Sequence, residues 1–176
     1  MNIILLIIFI LLLLIVAYQD IKQRLVSLLA FGGLATVAIA IRWNSPDYMM
    51  QVFASCSLIA MQILMLFLMF RIKNKKWENI INRYLGLGDI LFLGVLAFFL
   101  PPLMTIFFEV VSCILIIIFY ILLSIIKNRK LNSFSNIPLA GLLSIFLAGF
   151  IVANQFLFKI NIQNDDYLIM KYIYGI

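Results

Sequence analysis

The chain has 176 residues, of which 66% are hydrophobic and 11% charged, and it carries a net charge of +6. Soluble domains contain about 25% charged residues, so this composition excludes a soluble enzyme and predicts one polytopic membrane domain over residues 1–176. The lack of histidine excludes Ser-His-Asp and Cys-His catalysis and histidine metal sites. Cys56 and Cys113 stand alone in separate apolar segments, so we expect small buried hydrophobic residues and no redox pair or zinc site.

The apolar segments predict an all-α bundle of about six transmembrane helices. The first segment lacks a basic leader and a small-residue cleavage site, so we expect a retained span and not a signal peptide. The fourth segment is short and ends at Pro101-Pro102, so it either continues into the fifth as a kinked helix or lies in a locally thinner bilayer. The predicted helices are 3–19, 25–41, 51–71, 89–100, 103–126 and 138–158, and a polar tail occupies 159–176.

Basic residues are distributed unevenly between the two sides of the predicted bundle. If the six helices alternate in direction, the loops 20–24, 71–88 and 127–137 share one side and hold ten of the 13 Lys and Arg residues. The positive-inside rule predicts that this side faces the cytoplasm and that both termini lie outside. The excess charge is thus expected to set orientation and to contact anionic lipid, and we expect no nucleic-acid binding.

Two aspartates are predicted to meet at the cytoplasmic side. Asp20 follows the first helix and Asp89 begins the fourth, so the topology brings both to one membrane depth. Two carboxyl groups close together at a low-dielectric boundary share a proton. The ionised member can then activate water while the protonated member donates to a carbonyl, as in an aspartic protease. Taken singly, Asp89 could be a helix N-cap and Asp20 a loop charge paired with Lys22 or Arg24.

A third acidic residue, Glu109, lies within the predicted fifth helix and nearer the outer side. Ionisable residues inside a membrane segment are functional by default. Its position is on the wrong side for the aspartate pair, so we interpret Glu109 as an interior polar contact with Ser112 or a water molecule.

Three segments resemble, in order, the motifs of the type IV prepilin peptidases, which are GxGD-type polytopic membrane aspartic proteases. "LGLGDILFLGV" contains the G-x-G-D signature, "AYQDIKQRLVSLLAF" resembles the first aspartate motif, and "SNIPLAGLLSIFLAG" resembles the I-P-F-G-P-F segment of the last helix. The resemblance covers most of the chain. It implies Asp20 and Asp89 as the catalytic pair, with Gly86, Gly88, Arg24 and Pro138 shaping the substrate side.

The resemblance also implies a substrate and a location. Family members cleave the short basic leader of type IV prepilins or pseudopilins after a glycine, on the cytoplasmic side of the prokaryotic inner membrane. The cleavage needs no cofactor and no metal. We further expect the small Gly86 and Gly88 to let an extended peptide lie beside Asp89. The family's methylase region with paired cysteines has no counterpart in this sequence, so we expect no N-methylation.

The sequence departs from these motifs at three places, and the departures leave alternatives open. The segment 26–28 replaces I-P-N, Leu91 replaces a lysine, and Gly141 replaces the second proline of the last motif. These changes bear on substrate recognition more than on chemistry. A divergent or inactive scaffold, or an assembly subunit of a pilus or secretion system, is the alternative. A transporter or channel is a weaker one, because the predicted midplane offers few polar residues.

Overall fold

The structure is a computed structural model that describes residues 3–23, 26–45, 47–74, 86–127 and 138–158. These residues form six α-helices and no strand, which confirms the predicted all-α membrane fold. The predicted tail at 159–176 and the predicted site residue Arg24 lie outside the described residues. The helices are α1 (Ile3–Gln23), α2 (Leu28–Arg42), α3 (Tyr48–Asn74), α4 (Leu87–Phe99), α5 (Pro102–Lys127) and α6 (Leu139–Ala153), and a π-helical turn (Asn154–Phe158) follows α6.

Helices α1, α2, α4 and α6 supply most of the packed core, to which α5 adds Met104, Phe108 and Ile116. Helix α1 packs along α6 and α2, and α2 packs against α4. The rings of Phe9 in α1 and Phe99 in α4 stack with centroids 4.4 Å apart, and both side chains are buried. Because these helices are apolar nearly all round, large side chains fill the space between them and bring the ends of α1, α4 and α6 together.

Helices α3 and α5 lie at the periphery and expose most of their apolar side chains. Together with α1 and the segment Leu139–Phe156, they are long and apolar enough to cross a membrane. Exposed apolar faces on such helices suit a hydrocarbon environment. The prediction that Cys56 and Cys113 are buried is wrong, because both lie on the exposed faces of α3 and α5.

The double proline separates two helices. Helix α4 ends at Phe99, Leu100 has an extended backbone with φ −108° and ψ 145°, and Pro102 is the first residue of α5. Proline suits that position because its missing N–H has no partner in the first turn of any helix. The alternative of one kinked helix is therefore wrong. With 13 residues, α4 is about 20 Å long and shorter than the roughly 30 Å of bilayer hydrocarbon.

Helix α1 continues one turn beyond its predicted end at residue 19. Its last turn contains Lys22, whose Nζ donates a hydrogen bond of 2.6 Å to the hydroxyl of Tyr18 one turn earlier. A cation in the last turn also interacts favourably with the helix dipole. Asp20 therefore belongs to the helix itself, and its side chain has a direction fixed by α1 rather than by a loop.

Candidate active site at the start of α6

Asp20 projects from the last turn of α1 towards the first turn of α6. The backbone N–H of Gly141 donates a hydrogen bond of 2.6 Å to Asp20 Oδ2. The aspartate is half-buried and Gly141 is buried. The end of a helix carries partial negative charge, so an anion in the last turn of α1 is disfavoured by its own helix. The donor from α6 compensates for that repulsion.

Asp89 lies in the first turn of α4, where an anion is favoured by the helix dipole. Gly86 is the N-cap, with φ −68° and ψ 146°, and its N–H donates a hydrogen bond of 3.1 Å to Asp89 Oδ2. The interpretation of Asp89 as the N-cap residue itself is thus wrong, although its carboxylate does help to close the start of α4. The same carboxyl group lies near the backbone N–H of Ala140 and interacts electrostatically with Asp20.

The two carboxyl groups therefore meet at two consecutive peptide groups of α6. Pro138 is the N-cap of α6, so the N–H groups of Ala140 and Gly141 belong to its first turn. Such N–H groups have no partner within their own helix, and they carry its partial positive charge. Adjacent Cα atoms lie about 3.8 Å apart, so Asp20 and Asp89 lie beside neighbouring peptide groups of one helical turn.

Gly88 lies where α4 faces the start of α6, with room for no more than a methyl group. A Cβ atom at Gly88 would lie 3.7 Å from Ala140 Cβ and 3.9 Å from Val26 Cγ2, which is ordinary contact. Val26 precedes Ser27, the N-cap of α2, whose hydroxyl accepts a hydrogen bond from the N–H of Ala30. The segment that departs from the I-P-N motif therefore borders the site.

Gln19 ties the end of α1 to the start of α2. Its side-chain oxygen accepts a hydrogen bond of 3.1 Å from the backbone N–H of Ser27. The neighbouring Lys22 donates to Tyr18, as described above, and not to the adjacent Asp20. The alternative of Asp20 as a loop charge paired with Lys22 is therefore wrong, and its pairing with Arg24 falls outside the described residues.

Sequence reasoning missed the peptide groups of Ala140 and Gly141. The motif predicted a role for the residue Pro138. The hydrogen-bond donors, however, are backbone N–H groups, which every residue except proline supplies. The available signal was the glycine that stands where the family has a proline. Beside the start of α6, glycine lacks both the side chain and the fixed φ angle of proline.

Glu109 lies apart from this site. Gln62 Nε2 of α3 donates a hydrogen bond of 2.8 Å to Glu109 Oε2, and the hydroxyl of Ser112 donates to the backbone oxygen of Glu109. The predicted interior polar contact thus exists, but its side-chain partner is Gln62 and not Ser112. Across the part of the chain that the structure describes, no three His, Cys, Asp or Glu side chains form a group that could hold a metal.

Comparison with curated proteins and with solved structures finds no match for this chain. The family described as the type IV leader peptidase family matches residues 7–122. The matched range includes both aspartates and ends within α5, so α6 lies beyond it. This family indicates a protease that acts on prepilin-type substrates in a membrane. Since the match spans well over half of its residues, the chain belongs to the type IV leader peptidase family.

Proposed function

We propose that the protein is a membrane aspartic endopeptidase that removes the leader peptide of type IV prepilin-like or pseudopilin precursors at the cytoplasmic membrane face. Asp20 and Asp89 are the proposed catalytic pair. One observation carries the proposal: carboxyl groups from two different helices meet at adjacent N–H groups of a third helix. A pair of carboxyl groups held this close suits the sharing of one proton.

The reaction needs one ionised and one protonated carboxyl group. The ionised carboxylate takes a proton from water as the water oxygen bonds to the scissile carbonyl carbon, and the protonated carboxyl gives its proton to the carbonyl oxygen. The resulting diol then collapses. The C–N bond breaks, the first carboxyl protonates the leaving nitrogen, and a diol hydroxyl returns a proton to the second. Both aspartates thereby regain their starting states.

The surroundings of the pair fit an extended peptide that enters from the cytoplasm. Gly86 is exposed and Gly88 half-buried beside Asp89, so neither adds a side chain to the approach. Ten of the 13 basic residues fall in the predicted loops 20–24, 71–88 and 127–137, on the side where the pair lies, which supports a cytoplasmic orientation in the inner membrane. Pro138, the N-cap of α6, and Arg24 are proposed to shape the substrate side.

The test is cleavage of a prepilin or pseudopilin precursor from the same organism, co-expressed with the protein and followed by loss of its leader. We expect Asp20→Asn and Asp89→Asn to lower the cleavage rate by about 10²–10⁴-fold, the usual contribution of general acid–base groups. Glu109→Gln is the matched control, because it neutralises a membrane acid outside the site, and it should cleave at the wild-type rate.

Two results would contradict the proposal in different ways. Wild-type rates in both aspartate variants would show that the pair does not carry the chemistry. A wild-type protein that leaves every precursor of its organism intact, while still associating with the pilus or secretion machinery, would favour the scaffold alternative.

A further inference from the structure

Gly141 occupies an unusually tight place between α1 and α6. A Cβ atom added there would lie 3.1 Å from Asp20 Cβ, 3.1 Å from Asp20 Oδ2 and 3.2 Å from the backbone oxygen of Ala17. All three distances are shorter than ordinary van der Waals contact. One of these atoms is backbone of a packed helix, which cannot turn aside as a flexible side chain can.

The same residue donates the hydrogen bond to Asp20 Oδ2. Proline, which the prepilin peptidase motif has at this position, lacks the N–H and could not donate it. The glycine therefore supplies two things at once: a donor aimed at the carboxylate and the space that lets the carboxylate reach it. A hydrogen bond to an ionised oxygen is roughly twice as strong as one between neutral groups.

We propose that Gly141 is a positioning residue that holds the Asp20 carboxylate against the start of α6, beside the carboxyl group of Asp89. In this arrangement α6 fixes the distance between the two aspartate carboxyl groups and their relative orientation. The consequence for cleavage rests on the proposed function, whereas the contact between Gly141 and Asp20 can be tested without any substrate.

The chain contains its own internal control for this contact. The tripeptide Leu-Ala-Gly occurs at 139–141 and again at 147–149, both in α6. A Cβ atom at Gly149 would meet no atom within 4 Å. These are the two Ala-Gly pairs in the sequence, so a protein labelled with carbonyl-¹³C alanine and ¹⁵N glycine gives one selected amide signal for Gly141 and one for Gly149.

The first measurement compares these two signals in the wild type and in Asp20→Asn, in detergent. We expect the Gly141 amide proton to shift upfield when an amide replaces the carboxyl acceptor, while the Gly149 signal stays in place. An unmoved Gly141 signal would overturn the proposal. Because both proteins keep Gly141, this measurement decides the proposal even where a Gly141 variant does not fold.

The second measurement is the kinetics of precursor cleavage by Gly141→Ala and Gly149→Ala. We expect Gly141→Ala to lower kcat at least tenfold while KM stays within twofold of the wild type, and Gly149→Ala to change neither. Wild-type kcat in a folded Gly141→Ala would overturn the positioning role. Inactivity of the wild type itself would instead count against the proposed function and leave the amide result standing.

Discussion

The protein holds acidic side chains within its apolar helices in two different ways. At the start of α6, two carboxyl groups from α1 and α4 accept hydrogen bonds from backbone N–H groups and act on each other electrostatically. Between α3 and α5, the single carboxyl group of Glu109 accepts one side-chain hydrogen bond from Gln62. Its other oxygen, Oε1, is buried and has no hydrogen-bond partner among the described residues.

The difference lies in where each group sits on its helix. Asp20 and Asp89 belong to terminal turns of α1 and α4, and both lie beside the start of α6, whose first turn supplies free N–H groups. Glu109 lies in the interior of α5, where every backbone N–H is already used within the helix. Backbone donors at a helix end are fixed in direction, which suits chemistry that needs preorganised groups. A side-chain contact between two peripheral helices suits packing instead.

The largest effect that we predict for this comparison comes from Gly86→Ala. The added Cβ would lie 3.0 Å from Asp89 Oδ2 and 3.5 Å from its Cγ, so the carboxyl group has to turn. Misplacing a catalytic group by about 1 Å costs roughly 10²-fold in rate, and a flexible side chain recovers part of that, so we expect kcat to fall about tenfold. Steady-state cleavage of the precursor measures it, and KM should stay within twofold.

Retention of wild-type kcat in Gly86→Ala would show that the orientation of Asp89 does not limit the reaction. Gly94→Ala is the matched control in the same helix, because a Cβ at Gly94 meets no atom within 4 Å. Alanine is also the better helix former at that interior position, so this control should be as active and at least as stable as the wild type.

A smaller effect of a different kind is expected from Gly88→Ala. Its Cβ would make only ordinary contacts, at 3.7 Å and 3.9 Å, so α4 and α6 need not separate and the melting temperature should stay close to that of the wild type. The methyl group instead narrows the space that we propose for the extended peptide. One methyl group in a binding site alters binding by about 1–3 kcal/mol, so KM should rise about tenfold while kcat is kept. If kcat falls as far in Gly88→Ala as in Gly86→Ala, the space beside Gly88 does not hold the substrate peptide as we propose.

The sequence predicted more about the aspartates than about what holds them. Loop charges and apolar segments predicted that Asp20 and Asp89 lie on the same side of the membrane, because span length and basic loops are strong signals in a membrane protein. The donors of Ala140 and Gly141 could not be predicted, because a backbone N–H has no residue signature and its direction depends on how α6 packs against α1. The length of α1 was also underestimated, since a pattern of apolar residues ends before the polar last turn does.

The other side of the bundle gives a second example. Arg42 is one of the three basic residues outside the ten that predict the orientation, yet its side chain is fully buried at the end of α2. Its guanidinium donates a hydrogen bond to Gln51 and lies 5.3 Å from the ring centroid of Tyr48, both on α3. Arginine tolerates this burial because its planar group can stack on an aromatic ring while it donates hydrogen bonds. Nothing in the spacing of the sequence distinguishes this buried cation from the cations that predict the orientation.

The smallest predicted effect concerns Glu109 and tests whether its contact is structural. In a double-mutant cycle of Gln62→Leu and Glu109→Leu, we expect a coupling of about 1 kcal/mol, because hydrogen bonds between membrane helices contribute about 0.6 kcal/mol on average and up to 1.7. Unfolding of the purified protein in mixed micelles measures it. Cleavage should stay within twofold of the wild type in all three variants, since the contact between Gln62 and Glu109 involves neither aspartate nor the start of α6. If Glu109→Leu lowers the cleavage rate as far as Asp20→Asn does, Glu109 acts together with the aspartate pair. Its contact with Gln62 is then not purely structural.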